Sequence, residues 1–150
     1  MMDDGSLREL YQEVILEHSR HPRNYGRPEQ VDRVGRGHNP LCGDAITVYL
    51  HLDGDRIAQV GIEGAGCAIS TASASLMTEA VRGKTLDEVQ RLFDAFHEMV
   101  TTGQGDPDAL GKLAVLAGVR AYPIRVKCAT LAWHTLRAAI EDRHDTVVTE

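Results

Sequence analysis

The stretch Asp44-Ala45-Ile46-Thr47-Val48-Tyr49-Leu50-His51-Leu52-Asp53-Gly54-Asp55-Arg56-Ile57-Ala58-Gln59-Val60-Gly61-Ile62-Glu63 decides the fold. Ile46, Val48, Leu50 and Leu52 alternate with Thr47, Tyr49 and His51, the period of two that turns one face of a strand toward a core. Asp53-Gly54-Asp55 supplies turn residues, and Ile57, Val60 and Ile62 carry the chain back. The spacing predicts a β-hairpin with one buried face. Its open ends lie side by side, so Cys42 and Asp44 at the start become neighbours of Gly64-Ala65-Gly66-Cys67 at the finish.

Outward from the hairpin the apolar period becomes helical. Upstream, Ser6-Leu7-Arg8-Glu9 has capping-box spacing, followed by Leu7, Leu10, Tyr11, Val14, Ile15 and His18 on one face. This helix should end near His21-Pro22, because proline disfavours helix in the residue before it. Arg23 to Pro28 reads as loop. Downstream, Ala68 to Val81 is rich in small residues and suits a closely packed helix. Thr85-Leu86-Asp87-Glu88 forms a second capping box, before Val89, Leu92, Phe93, Phe96 and Val100. Asp106-Pro107 gives an N-cap with proline in the first turn, opening a short helix that should stop at Gly118. After the break at Tyr122-Pro123, a last helix carries Cys128, Leu131, Ala132, Thr135, Leu136 and Ile140. Strands first and helices after give an α+β fold class: one domain over residues 1–150, a small antiparallel sheet with helices packed on one face.

A chain of 150 residues can bury about 70% of its unfolded surface, enough for one core. Hydrophobic residues make up 43% and charged residues 25%, ordinary for a globular domain. The net charge of −6 argues against nucleic-acid or membrane-surface partners, which want basic patches. No apolar run approaches the roughly 20 residues that span a bilayer. The acidic start Met1-Met2-Asp3-Asp4-Gly5 is unlike a signal peptide, so a cytoplasmic location is expected, where thiols stay reduced.

Three cysteines, Cys42, Cys67 and Cys128, cannot all pair within one chain. Together with Asp44 they supply four anionic donors, which suit a closed tetrahedral zinc site or an iron–sulfur cluster. Cys67 and Cys128 fall near predicted helix starts, where free N–H groups and the helix dipole favour thiolate. Between Leu110 and Ile140 there is no acid, while Lys112, Arg120, Arg125, Lys127 and Arg137 supply five cations. Arg125 and Lys127 are thereby placed to offset an anionic metal–thiolate centre or to hold an acidic partner surface. The plainer alternatives are three small buried hydrophobes and a solvated cationic face. His134, six positions after Cys128, lies off its helical face, so a Cys–His nucleophile pair is unsupported. The stretch Gly64 to Ile69 lacks the third glycine of a dinucleotide fingerprint, and Gly105 to Lys112 lacks the phosphate-loop spacing.

The segments Leu10 to His18, His21-Pro22-Arg23-Asn24, Asn39-Pro40-Leu41-Cys42-Gly43-Asp44, Gly64 to Ser70 and Arg125 to Trp133 resemble the U-type iron–sulfur cluster assembly proteins over nearly the whole chain. That family's fold is α+β, which agrees with the pattern above. The scaffold (IscU) branch carries histidine directly before the third cysteine, where this chain has Lys127. It also carries a Leu-Pro-Pro-Val-Lys motif that Ala121 to Lys127 matches only in part. Lysine at that place, plus a helical insertion around residues 96–118, resembles the SufU branch.

The resemblance implies a zinc-dependent sulfurtransferase of the SUF system, with Cys42, Asp44, Cys67 and Cys128 as zinc ligands. Such a protein accepts persulfide sulfur from a cysteine desulfurase of the SufS kind and hands it to downstream SUF assembly proteins. Cys42 is expected to be the acceptor thiolate, with Arg125 acting beside it on the reacting groups. The alternatives are a non-enzymatic scaffold holding a [2Fe–2S] cluster on the same ligands, and a structural zinc adaptor.

Overall fold

The computed structural model describes residues 4–104 and 107–149. Helix α1 (Asp4–Arg20) ends one residue before His21, as the following proline dictates. Ser6 lies inside its first turns, and the side-chain bonds of a Ser6–Glu9 box fall outside the described residues. Three antiparallel strands follow: β1 (Arg33–Asn39), β2 (Asp44–Asp53) and β3 (Arg56–Ala65). The β2–β3 pair is the expected hairpin, running from Ala45 opposite Ala65 to Asp53 opposite Arg56 with one register shift between His51 and Leu52. Ile46, Val48, Leu50, Ile57, Val60 and Ile62 are buried on its inner face.

Strand β1 is an addition to the expectation, which had no strand there. It contains Gly35 and Gly37, and glycine is a poor strand former, so Arg33-Val34-Gly35-Arg36-Gly37-His38-Asn39 lacks the apolar alternation of its neighbours. Both glycines face the last helix, α5 (Pro123–Ile140). A methyl group on Gly35 would overlap the Thr135 carbonyl oxygen, and one on Gly37 would overlap the Thr135 hydroxyl. The strand gives up side chains so that α5 can lie directly on it. A two-residue strand, β4 (Val147–Val148), pairs in parallel with β1 and gives the sheet order β3-β2-β1-β4.

Helix α2 (Ala68–Val81) covers the β3 side and packs between α1 and α5 through buried Ala72, Ser73, Ala74, Leu76 and Met77. Small residues allow that close approach. Helix α3 (Leu86–Thr102) opens with the expected capping box: Thr85 accepts from the Glu88 N–H while Glu88 accepts from the Thr85 N–H. Its Phe96 stacks on Trp133 of α5 at 4.7 Å between ring centroids, at the centre of the core. The stretch expected as one short α-helix divides in two. A single α turn, α4 (Pro107–Leu110), leads into an 11-residue 3-10 helix, Gly111–Ala121, that passes Gly118 without stopping. Its threefold repeat places Leu113, Leu116 and Val119 on one buried stripe, a reason for the tighter winding. The proposed cap Asp106 lies outside the described residues.

Candidate metal and sulfur centre

Three elements bring the cysteines together. Asn39 and Asp44 are paired across β1 and β2 and close a turn over residues 40–43. Gly43, at φ +69, takes the left-handed conformation that the turn requires. Inside the turn the Asn39 carboxamide accepts from the Leu41 N–H at 3.1 Å, leaving Cys42 half-buried and Leu41 exposed. The far end of β3 arrives at the same place: Gly64 takes φ +140, and its Cβ would overlap the Ala45 carbonyl oxygen. Cys67 then becomes the N-cap of α2, its Sγ accepting from the Ser70 N–H at 3.4 Å. The third cysteine comes across the sheet on α5.

The distances define one centre. Cys42 Sγ and Cys128 Sγ are 2.9 Å apart. One donor atom each from Cys42, Asp44 and Cys128 lie within 4.8 Å of one another. The Cys67 N–H donates to Asp44 Oδ1 at 2.7 Å, and the Cys67 thiol to Asp44 Oδ2 at 3.8 Å. Gly66 makes room for that carboxylate: a Cβ there would stand 2.6 Å from Asp44 Oδ1. Cys42, Asp44 and Cys128 therefore form one close group, and Cys67 joins it through Asp44, the pairing that the hairpin argument expected.

Electrostatics single out Asp44. It is fully buried, yet among the described residues no lysine, arginine or histidine pairs with it. A buried carboxylate without a counter-charge is costly, and a bound cation relieves that cost. Three sulfurs and one oxygen are the donor set of a tetrahedral zinc site and equally of an iron–sulfur cluster, so the residues fit either group.

One expectation is corrected. Cys128 is the sixth residue of α5, past the helix end where free N–H groups would favour thiolate. Burial, first, and then the neighbouring Cys42, Asp44 and Cys67 groups push its thiol well above the ordinary cysteine value. Cys67, at the N-cap, keeps the expected helix-start position.

Arg125 and Lys127 flank Cys128 in sequence, Arg125 exposed and Lys127 half-buried. Arg125 is exposed, its guanidinium 4.8 Å from the centroid of the Tyr122 ring, and none of its described hydrogen bonds reaches Asp44 or a thiol. His134 packs edge-on against Phe93, away from the cysteines. Asn39, read from sequence only as part of a turn motif, belongs to the site. It is fully buried, and its Nδ2 donates to Cys128 Sγ at 3.7 Å. Without β1 as a recognised strand, nothing in the sequence aimed that side chain inward.

The NifU-like N-terminal domain family matches residues 10–147. A protein of Streptococcus pyogenes serotype M1 named iron–sulfur cluster assembly scaffold protein IscU is 44% identical over 139 residues, covering 91% of this chain and 86% of its own. The protein named zinc-dependent sulfurtransferase SufU in Bacillus subtilis strain 168 is 38% identical over 141 residues, covering 93% and 95%. Among solved structures, one from Fervidobacterium islandicum AW-1, described as a candidate iron–sulfur cluster assembly scaffold protein for the SUF system, superposes with a TM-score of 0.82 at 38% identity. It covers 89% of this chain and 98% of its own. The N-terminal part of a nitrogen-fixing NifU-like protein from Brucella abortus gives 0.81 at 26% identity, over 91% and 95%. Sequence, fold and the convergent cysteines lead to one conclusion: the chain belongs to the NifU-like N-terminal domain family of iron–sulfur cluster assembly proteins.

Proposed function

We propose that this protein is a zinc-dependent sulfur acceptor that takes persulfide sulfur from a cysteine desulfurase, within a cytoplasmic SUF-type assembly pathway. The observation that carries the reading is the buried Asp44 carboxylate, unpaired with any side-chain cation among the described residues and set beside three thiols. Cys42, Asp44, Cys67 and Cys128 would hold the metal. Zinc, when bound, keeps coordinated thiols deprotonated at neutral pH and shields them from oxidation.

Cys42 is the acceptor in this reading. It sits on a turn, half-buried, beside Leu41 with 61% of its surface exposed, whereas Cys128 is 1% exposed in the middle of a helix. The Cys42 thiolate attacks the outer sulfur of the partner's persulfide. A new S–S bond forms on Cys42, the partner's S–S bond breaks, and the partner thiolate leaves, as in thiol–disulfide exchange. Arg125, exposed, and Lys127, half-buried, lie in the acid-free stretch from Leu110 to Ile140 and are assigned to meeting that partner, with Arg125 assigned to act on the reacting groups on docking. The helical segment 96–118 is assigned as the insertion that sets this branch apart.

A second reading is a scaffold that assembles a [2Fe–2S] cluster on the same four residues, favoured by the IscU name of the 44% identical relative. Lys127, where the scaffold branch carries histidine, favours the acceptor. Metal and labile-sulfide analysis of protein purified without air separates them: about one zinc per chain without sulfide supports the acceptor. Iron with stoichiometric sulfide overturns it. Zinc without stimulation of a desulfurase would leave a structural zinc domain.

A further inference from the structure

The sheet order β3-β2-β1-β4 makes β3 an edge strand, with no strand on its outer side among the described residues. Backbone groups on that side need other partners. Asn24-Tyr25-Gly26, which reads as plain loop in the sequence, supplies them. Ile62 donates to the Asn24 carbonyl at 3.1 Å and accepts from the Gly26 N–H at 2.7 Å. Two residues on, a side chain takes over. The Tyr25 hydroxyl donates to the Gly64 carbonyl at 3.0 Å and accepts from the Gly64 N–H at 3.2 Å. One phenol oxygen stands in for the next residue of a neighbouring strand.

Tyr25 is 56% exposed, yet its backbone is pinned to α2. The Arg23 N–H donates to Ser75 Oγ at 2.8 Å, and Asn24 Nδ2 donates to Thr78 Oγ1 at 2.9 Å. What the hydroxyl grips is the root of the arm Gly64-Ala65-Gly66-Cys67. Gly64 and Gly66 have no side chains with which to pack that arm in place. A cavity of about 20 Å³, lined by Ile46, Gly64, Ala65, Ser70 and Ala74 among others, adjoins it. Hydrogen bonds therefore set its position: the last ladder pair, Ala45 with Ala65, on one side, Tyr25 on the other, and Asp44 Oδ1 at the Cys67 N–H. The end of an edge ladder is where a sheet opens first.

We propose that Tyr25 is a positioning residue of the metal centre. Its hydroxyl keeps the end of β3 from fraying, and so keeps Cys67 in register with Asp44. None of its described hydrogen bonds reaches a ligand side chain. The proposal rests on Cys67 and Asp44 as metal ligands in the reading above, and it extends their supporting shell by one residue. Loss of such support lowers metal affinity about 10- to 100-fold.

Tyr25→Phe removes one exposed oxygen and keeps the ring, while Tyr25→Ala removes both. Zinc-loaded wild type and both variants are mixed with excess chromophoric chelator, and zinc release is timed. Backbone amide exchange of the same proteins as purified is resolved residue by residue by fragmentation mass spectrometry. Both variants should release zinc about tenfold faster than the wild type, and to a similar degree, because the hydroxyl and not the ring does the holding. In Tyr25→Phe the Cys67 amide, which Tyr25 does not touch, should exchange faster, while the buried amides of α5 keep their wild-type rates. Zinc release within about twofold of wild type together with unchanged Cys67 exchange overturns the proposal. So does a fast Tyr25→Ala beside a wild-type Tyr25→Phe, which marks a packing role, or an acceleration shared by α5, which marks a general loss of stability. A wild type that takes up no zinc would instead overturn the zinc reading, and the Cys67 exchange would still decide the role of Tyr25.

Discussion

The backbone N–H of Cys67 donates to Asp44 Oδ1 at 2.7 Å, tying the start of α2 to the start of β2. This one bond holds a carboxylate inside the protein, facing two further sulfurs, at a point where no side-chain cation meets it among the described residues. The centre is thus built from backbone geometry before any metal arrives.

Gly66 is the residue that permits the bond. Gly66→Ala places a Cβ 2.6 Å from Asp44 Oδ1, and the carboxylate has to move. We expect zinc affinity to fall about 10- to 100-fold, the range seen when a ligand loses its supporting shell, with the fold retained. Competition against a chromophoric chelator measures it. Asp44→Ala should weaken binding and abolish stimulation of a desulfurase, and wild-type stimulation by that variant would remove Asp44 from the site.

Strand β1 makes a second prediction through its glycines. Gly37→Ala should cost about 1–3 kcal/mol of stability, the usual penalty of overpacking, because its methyl meets the Thr135 hydroxyl. Gly37→Ala combined with Thr135→Ala removes that hydroxyl and should recover much of the loss. Gly35→Ala meets the Thr135 backbone carbonyl, which no side-chain change removes, so the same second substitution should not rescue it. Urea unfolding of the wild type, the three single variants and the two double variants forms the two cycles, and additivity of the Gly37 pair would contradict the contact.

These glycines also explain where the sequence was legible. The β2–β3 hairpin, the Thr85 capping box and the Cys67 helix start were readable because periodicity, capping and turn chemistry all act locally. The four converging residues followed from the hairpin and from the motif resemblance. Strand β1 was hidden because Gly35 and Gly37 are selected by a helix about a hundred residues away, a tertiary demand that overrides local strand preference. The same omission hid Asn39. The 3-10 winding of Gly111–Ala121 and the depth of Cys128 within α5 are likewise set by packing against α3 and the sheet.

Two histidines, His18 buried and His134 half-buried, set a pH dependence. His18, 3% exposed and 2.7 Å from Ser75 Oγ, is held below the ordinary value near 6.5 by burial and then by Arg23. His134 is held below it by burial and then by His97 and Arg137. The unfolded chain therefore binds these protons more readily than the folded one. Stability is complete above about 6.5 and falls as pH drops through that value toward the folded pKa values. His134→Phe, which keeps an aromatic edge against Phe93, should flatten the fall of the melting temperature between about pH 7.5 and 5.5. An unchanged slope would contradict this origin.

The cations beside Cys128 predict partner behaviour. Lys127→Ala should raise the concentration needed to stimulate a desulfurase, more so at high salt, with the maximum unchanged, as expected of a charge at an interface rim. Arg125→Ala should lower the maximum itself at saturating protein. Its planar fork is stacked on Tyr122 here, and the proposed role requires it to turn toward the transferred sulfur when the partner covers the site. Steady-state turnover at two salt concentrations distinguishes them, and two wild-type curves would place both side chains outside the interface.

The central claim is that Cys42 receives sulfur. The most direct measurement is a single turnover of zinc-loaded protein with a cysteine desulfurase and free cysteine. The reaction is stopped with an alkylating agent before the persulfide decays, and peptide masses are mapped. The account predicts the extra sulfur on the peptide that contains Cys42, with Cys67 and Cys128 unmodified. No added sulfur on any of the three cysteines, or sulfur on Cys67 or Cys128 in place of Cys42, would contradict it.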